Sequence, residues 1–329
     1  MKDVAARAGV GLKTVSRVVN GESGVTPDTE RRVREAIAAL GFRRNDSARV
    51  LRKGRTASIG LILEDLADPF YAPLARAVEE VARDHGALLI NGSSAEDPER
   101  ERELALAFCA RRVDGLVVIP AGSDHRYLEP EMAAGVATVF VDRPAGLIAA
   151  DAVLSDGFGG ARRGVAHLIA HGHRRIGFIG DQPHIHTAVE RLRGYRAAMA
   201  AAGLPVDEAW VSLGSTSPER VRAATEHMLM GPRPVTALFT GNNRVTATAV
   251  RVLARLPRPV ALVGFDDLEL ADLLSPAITV IAQDAARLGR TAAELLFRRL
   301  RGGTEEPRRV ELPTRLIVRG SGELPPTEG

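Results

Sequence analysis

Between Leu12 and Asn20 the sequence sets Lys13, Thr14, Ser16 and Arg17 around a segment whose Leu12, Val15, Val18 and Val19 share one helical face. Lys and Arg can donate to guanine O6 and N7, whereas Thr14, Ser16 and Asn20 carry donors suited to phosphate oxygens. Further on, Arg49, Arg52 and Lys53 flank the apolar points Val50 and Leu51. Residues 1–55 hold 13 Lys/Arg against 6 Asp/Glu, a net of +7, while the other residues hold 31 against 35. A small basic head on a mildly acidic body suits nucleic-acid binding. On charge alone, a solvated basic face without a partner is the alternative.

Other groupings invite chemistry but lack its remaining parts. His167 and His171 stand at helical i, i+4 spacing, with His173, His184 and His186 downstream. No carboxylate or cysteine completes a recognisable zinc set, so no metal is expected. Gly157-Phe158-Gly159-Gly160 lacks the dinucleotide-loop spacing and follows a weak strand. There is no phosphate loop, no nucleophile elbow and no familiar Cys-His pairing. Nothing supplies a nucleophile, a base and oxyanion donors together, so the expectation is a protein that is not an enzyme and needs no cofactor. The lone Cys109 reads as core in a helix and excludes a disulfide framework. No apolar run approaches the roughly 20 residues that cross a bilayer. The start, MKDVAARAGV, has no apolar stretch of a secretory signal, which points to the cytoplasm, on the nucleoid.

The elements that must position the basic residues are short. Asp3 to Ala8 reads as one helix and Gly9-Val10-Gly11 breaks it. Leu12 to Asn20 reads as a second, stopped at Asn20-Gly21. Thr26 caps a third, Pro27 suits its first turn, and Val33, Ile37 and Leu40 are expected inward before Gly41 ends it. Two short helices across a Gly-containing turn, closed by a third, describe a helix-turn-helix domain over 1–44. Residues 45–56, too short to hold a helix unaided in water, follow as a charged linker.

This head closely resembles that of LacI/GalR-type bacterial transcription repressors. The resemblance is carried by Asp3-Val4-Ala5-(x3)-Gly9-Val10-Gly11-(x2)-Thr14-Val15-Ser16-Arg17-Val18-Val19-Asn20-Gly21, by Leu40-Gly41-Phe42, and by Asn45-(x2)-Ala48-Arg49-(x)-Leu51-Arg52. It implies that the second helix enters the major groove. Leu12, Lys13 and Arg17 take base-reading positions, and Thr14, Ser16 and Asn20 contact phosphates. It also implies that 45–53, with Arg49 and Arg52, orders on DNA as a hinge helix and that Leu51 wedges into the minor groove. One departure is that only Met1 and Lys2 precede the Asp-Val-Ala run, where the family usually has a capping Thr. An uncapped first helix costs roughly 1 kcal/mol; otherwise the true start lies upstream.

From Ala57 onward, short apolar runs alternate with helical stretches. Strands are read at 58–63, 87–90, 115–119, 138–141, 152–154, 175–180, 211–213, 237–240 and 261–265. Helices are read at 73–85, 98–112, 189–202, 218–230 and 244–256. This rhythm predicts an α/β body of two doubly wound parallel-sheet subdomains, with ligands beyond the strand C-termini. The body, 57–323, resembles the periplasmic-binding-protein-like core of the same family. The resemblance runs through Asp68-Pro69-Phe70-Tyr71, Arg112-Val113-Asp114-Gly115, Val141-Asp142-Arg143-Pro144, Gly172-His173-Arg174-Arg175-Ile176, Arg191-(x2)-Gly194-Tyr195, Gly264-Phe265-Asp266-Asp267 and Leu316-Ile317-Val318-Arg319-Gly320-Ser321. It implies an N-subdomain of about 57–156 and 283–308, a C-subdomain of about 157–282 and 309–323, and a tail at 324–329.

The same resemblance implies a homodimer with a small-molecule effector, a sugar, in the cleft between subdomains. It puts Phe70, Tyr71, Arg143, Thr187, Arg191, Asn242 and Asp266 at effector-facing positions. A carboxylate such as Asp266 accepts from two hydroxyls, Arg191 donates a fork, and an aromatic covers a ring face. Arg143 and Thr216 stand where the purine-binding branch carries stacking aromatics, which argues against a nucleobase. Asn243 and Ser155-Asp156-Gly157 depart from the family's usual residues. The reading is a dimeric repressor on a pseudo-palindromic double-stranded DNA operator. The alternatives are a periplasmic-type sugar-binding protein and a corepressor-dependent regulator with a non-sugar effector.

Overall fold

The computed structural model describes residues 1–42 and 56–326. The chain divides into two compact units, Met1–Thr56 and Ala57–Gly329.

Among its described residues the first unit holds three helices: α1 (Lys2–Ala8), α2 (Leu12–Asn20) and α3 (Pro27–Ala39). Gly9 ends α1 in the left-handed region at φ 62°, a conformation that costs a Cβ-free residue little. No side chain caps α1, whereas Thr26 Oγ1 accepts from Thr29 N–H at the start of α3. Val4, Ala5, Ala8, Val15, Val33 and Ala36 form the core, with Ile37 packed at its edge. Leu40, expected inward, is instead 41% exposed, because α3 ends at Ala39 and the core is already closed by Ala36 and Ile37.

The second unit has two six-stranded sheets. The N-subdomain strands are β1 (Ser58–Leu63), β2 (Leu88–Ser93), β3 (Gly115–Val118), β4 (Ala137–Val141), β5 (Asp151–Ser155) and β11 (Arg309–Leu312). They run in the order β11-β5-β4-β3-β1-β2, all parallel. The C-subdomain strands are β6 (Ile176–Gly180), β7 (Val211–Leu213), β8 (Ala237–Thr240), β9 (Ala261–Phe265), β10 (Thr279–Ala282) and β12 (Arg315–Ile317). They run β12-β10-β9-β8-β6-β7, with only β12 antiparallel.

Helices cover both faces of each sheet, so the central strands are apolar on both sides. On the N-subdomain, α4 (Tyr71–Asp84) and α11 (Ala285–Leu300) bury Leu74, Leu288 and Leu296 against one face, and α5 (Pro98–Ala110) buries Phe108 on the other. The short α6 (Glu129–Ala133) precedes β4. On the C-subdomain, α7 (Gly157–Ala170) and α8 (His186–Ala201) cover Phe178, Phe239 and Phe265; α9 (Pro218–Met230) and α10 (Asn243–Leu253) cover Leu238 and Leu262. Two helix pairs meet backbone to backbone. A Cβ at Gly194 of α8 would lie 2.3 Å from Phe158 O of α7, and one at Gly289 of α11 would lie 2.3 Å from Leu74 O of α4.

The chain crosses between sheets after β5, after β10 and after β11. The last crossing is at 313–314 and not near 309, because Arg309–Leu312 pairs in register with Ala152–Ser155 of β5. Residues 309–312 therefore belong to the N-subdomain and only β12 onward to the C-subdomain.

Candidate functional site

In the first unit, α2 presents the residues selected from sequence. Leu12 is 49% exposed and Lys13 is exposed, both in the first turn, where helices laid in a major groove touch bases. Thr14, Ser16 and Arg17 are half-buried around the same helix. Val15 is in the core and Val18 packs against it. Arg32 of α3 donates to Ala8 O and Gly9 O, fixing the turn that aims α2. The Asn20 side chain, and Arg49, Leu51 and Arg52 with the rest of the proposed hinge, lie outside the described residues.

In the second unit, all seven effector-facing candidates line one cavity between the subdomains, with a volume of about 40 Å³. Seven of its fourteen lining residues follow a simple rule: they are the first polar residues past the C-terminal ends of the parallel strands. Glu64 follows β1, Asp142 and Arg143 follow β4, Asp181 follows β6, Asn242 follows β8 by one glycine, Asp266 follows β9 and Gln283 follows β10. Sequence reading missed Glu64, Asp68, Asp142, Asp181, Arg244 and Gln283, although this rule finds most of them. Asp142 and Asp266, at corresponding places in the two sheets, hold φ of 68° and 69°. Asp tolerates this left-handed turn better than most residues, and it re-aims the carboxylates into the cavity.

Arg143 is buried among acids. Its Nη1 lies 2.7 Å from Glu96 Oε1 and donates to Pro120 O at 2.7 Å; its Nη2 lies 3.3 Å from Glu64 Oε2. Tyr71 Oη donates to Glu64 Oε2 at 2.9 Å, and the Phe70 ring meets Tyr71 edge-on. Burial, with Glu64 adding to it, pushes the Tyr71 hydroxyl well above its ordinary pKa. Burial likewise raises Glu96, against the pull of Arg143.

Across the cleft, Arg191 of α8 donates to Gly241 O at 2.6 Å, and its guanidinium lies 3.9 Å from the Phe265 ring centre. Its Nη1 is 3.8 Å from Asp266 Oδ2, and Gln283 Nε2 donates to Asp266 Oδ1 at 2.6 Å. Burial raises the Asp266 pKa, and Arg191 and Gln283 oppose it. Asn242 caps α10 through Val245 N–H and donates to Asp181 Oδ2 at 3.0 Å. Three side-chain contacts at the cleft join the subdomains: Asn243 Nδ2 donates to Asp68 Oδ1 at 2.7 Å, Arg244 Nη1 lies 3.3 Å from Glu64 Oε1, and Arg244 Nη2 lies 3.8 Å from Asp65 Oδ2. The first explains the departure at Asn243, since an acid there would face another carboxylate. The departure at Asp156 is also local: its carboxylate caps α7 by accepting from Gly159 N–H.

Among the described residues, several buried polar atoms in this cleft have no hydrogen-bond partner: the acceptors Asp142 Oδ1 and Gln283 Oε1, and the donors Arg191 Nε and Arg143 Nε, the last only 3.7 Å from Asp142 Oδ2. Elsewhere, His167 contacts Glu323, and Nδ1 and Nε2 of His173 lie within hydrogen-bond distance of Thr236 Oγ1 and Leu324 O. Among the described residues no group of three or more His, Cys, Asp or Glu is placed to hold a metal ion, and no helix is long and apolar enough to cross a membrane. Burial raises the Cys109 thiol to about 11.

Residues 1–45 match the profile of bacterial regulatory proteins of the lacI family, and residues 165–322 match that of the periplasmic binding protein-like domain. The chain is 36% identical over 330 residues to the HTH-type transcriptional regulator CelR of Thermobifida fusca, covering 97% of each chain. The chain belongs to the lacI family. Among solved structures, a complex of the transcriptional regulator CelR with cellobiose superposes with a TM-score of 0.72 at 34% identity, covering 97% of this chain and 98% of that one. The lac repressor dimer bound to operator and the anti-inducer ONPF gives 0.84 at 26% identity, with the same coverage. Head and core therefore share one chain across the family's length, which excludes a transporter's binding protein standing alone.

Proposed function

We propose that this lacI-family protein is a dimeric transcription repressor, acting on DNA in the cytoplasm, whose affinity for a pseudo-palindromic operator is set by a sugar in the inter-subdomain cleft. One observation carries the sugar reading: buried donors on Arg143 and Arg191, and buried acceptors on Asp142 and Gln283, line a single cavity without hydrogen-bond partners among the described residues. Leaving such groups unpaired is costly, and a polyol, whose every hydroxyl both donates and accepts, pairs both kinds at once. The cellobiose held by the relative CelR and the operator held by the lac repressor dimer support the two halves of the reading. Phe70 and Tyr71 wall the cleft after β1, and Thr187, Asn242 and Asp266 add polar contacts.

The mechanism follows from the two subdomains sharing the site. A ligand touching Arg143 on one side and Arg191 and Asp266 on the other favours one relative arrangement of the subdomains. It shifts the population by its differential affinity and by no more. Lys13, Arg17 and Leu12 read bases; Thr14, Ser16 and Asn20 position the head; Arg49, Leu51 and Arg52 form the hinge that responds. The cleft is assigned binding and no catalytic step. Calorimetry of the full chain against a panel of sugars and purine bases tests the effector class. A sugar is expected to bind and the purines to give no heat; binding of a purine alone would overturn the reading.

A further inference from the structure

Beside the narrow polar cavity lies a far larger one, of about 840 Å³, and the two share Arg143. The narrow one has room for a few water molecules, less than one sugar ring, whereas the large one is within the usual range of small-molecule sites. Both subdomains build it. Pro98, Pro120 and Pro144 with Tyr127 come from the N-subdomain, and His186 and Val189 come from the C-subdomain.

Its walls are held rigid from behind. Glu101 is 1% exposed, yet it accepts from Tyr127 Oη at 2.6 Å and from Ala121 N–H at 2.5 Å, with His125 Nε2 at 3.2 Å. His125 Nδ1 accepts in turn from Gly146 N–H at 3.0 Å. One buried carboxylate and one buried imidazole thus pin both loops that border the cavity, 120–127 and 144–146. Burial pushes the Glu101 carboxyl up, but these partners hold it below the ordinary range, so it stays an acceptor. A wall fixed before binding loses little entropy when a ligand arrives. The network fixes the Tyr127 ring and the loops that carry Pro120 and Pro144, apolar surfaces that suit the faces of sugar rings, while Arg102, which lies 5.8 Å over the Tyr127 ring, and Glu99 and Asp124 add polar groups for hydroxyls.

We infer that the effector is an oligosaccharide of at least two rings, with one end read at Arg143 and the inner polar groups and the remaining ring or rings lying in the large cavity against Tyr127, the prolines and His186. This rests on the sugar reading above and names the class of sugar. Because Val189 and His186 belong to one subdomain and Tyr127 to the other, the added ring bridges the cleft and strengthens the shift between arrangements.

The test is calorimetry of the full-length chain against length series: glucose with cellobiose and cellotriose, glucose with maltose and maltotriose, and xylose with xylobiose. In the series that binds, the disaccharide or trisaccharide is expected to bind at least tenfold more tightly than its monosaccharide. Val189→Trp, at a position 38% exposed, puts an indole into the large cavity where the added ring would lie and is expected to erase that advantage; Tyr127→Ala removes its aromatic wall and is expected to do the same. A monosaccharide that binds as tightly as its longer relatives, or a length advantage that survives both substitutions, overturns the inference and leaves the sugar reading standing. No binding by any sugar of any length overturns the sugar reading and this inference with it.

Discussion

Asp266→Asn isolates the charge that the cleft offers to a hydroxyl. In the unliganded cleft Asp266 Oδ1 is taken by Gln283 Nε2, so Oδ2, 3.8 Å from Arg191 Nη1, is the oxygen left for a ligand. Asn is nearly isosteric and accepts the left-handed backbone at φ 69°. Gln283 holds the Asn oxygen in the Oδ1 position, which puts the amide nitrogen where Oδ2 was. That nitrogen only donates, so it cannot accept from the hydroxyl. The loss is one hydrogen bond to a charged group, about 1.5–3 kcal/mol, or about ten- to hundredfold in effector affinity. The raised pKa adds a pH signature. Effector binding needs the ionised form, so affinity falls as pH drops through the raised folded pKa, at a higher pH than for an ordinary carboxylate. The unliganded fold has the opposite dependence: the neutral carboxyl is the better buried form, so stability is greatest below the unfolded pKa and declines as pH rises through the folded one. Calorimetry of wild type and variant across pH reads both affinity effects. An Asn variant that binds at wild-type strength, or that keeps the wild-type pH slope, would refute the assignment of Asp266 to the effector.

Three further outcomes follow. Asn243→Asp replaces the donor facing Asp68 Oδ1 at 2.7 Å with a like charge and is expected to destabilise the core by about 1.5–3 kcal/mol at neutral pH. The deficit shrinks as pH falls and the carboxylates protonate; urea unfolding at two pH values measures it, and an equal deficit at both would contradict the pairing. Arg17→Ala is expected to relax selectivity at one base position in each half-site by about 1–3 kcal/mol, while Leu51→Ala lowers affinity for the whole operator and leaves salt-sensitive binding to a scrambled duplex nearly unchanged. Titration of both duplexes at fixed salt separates the two, and full operator affinity in Leu51→Ala would reduce residues 45–53 to a tether. A chain beginning at Ala57 is expected to sediment as a dimer at micromolar concentration; a monomer would move the main dimer contact to the head.

The parts of the fold that were legible in sequence are those where local pattern and tertiary role agree. Ser58–Leu63, Gly115–Val118 and Ala261–Phe265 are apolar runs because they are central strands covered on both faces. Helix α7 is not legible in sequence, because its Gly157-Phe158-Gly159-Gly160 start lacks a helical stripe. The glycines are demanded by packing: a Cβ at Gly160 would lie 2.8 Å from Ile281 and one at Gly164 2.6 Å from Phe239. Strands β11 and β12 are short, with exposed residues and an edge position in each sheet, so neither carries an apolar signal. The sequence pattern therefore does not mark the last crossing, and the position near 309 implied by resemblance lies a few residues early. The cleft was half legible. The seven candidates come from resemblance, while strand ends legible at 63, 141 and 180, with the rule that ligands gather beyond them, point to Glu64, Asp142 and Asp181; Gln283 follows β10, a strand the sequence pattern does not reveal.

The claim at the centre of this account is that a sugar in the cleft sets the grip of the head on DNA. The direct measurement is a fluorescence titration of the full-length chain on operator DNA at fixed salt, with and without the sugar that binds, for wild type and for Asp266→Asn. The account predicts at least a tenfold change in wild-type operator affinity at saturating sugar. The variant, at the same sugar concentration, is expected to show little of it, with its sugar-free operator affinity intact. An operator affinity that no bound sugar alters, or a full response in the variant, would contradict it.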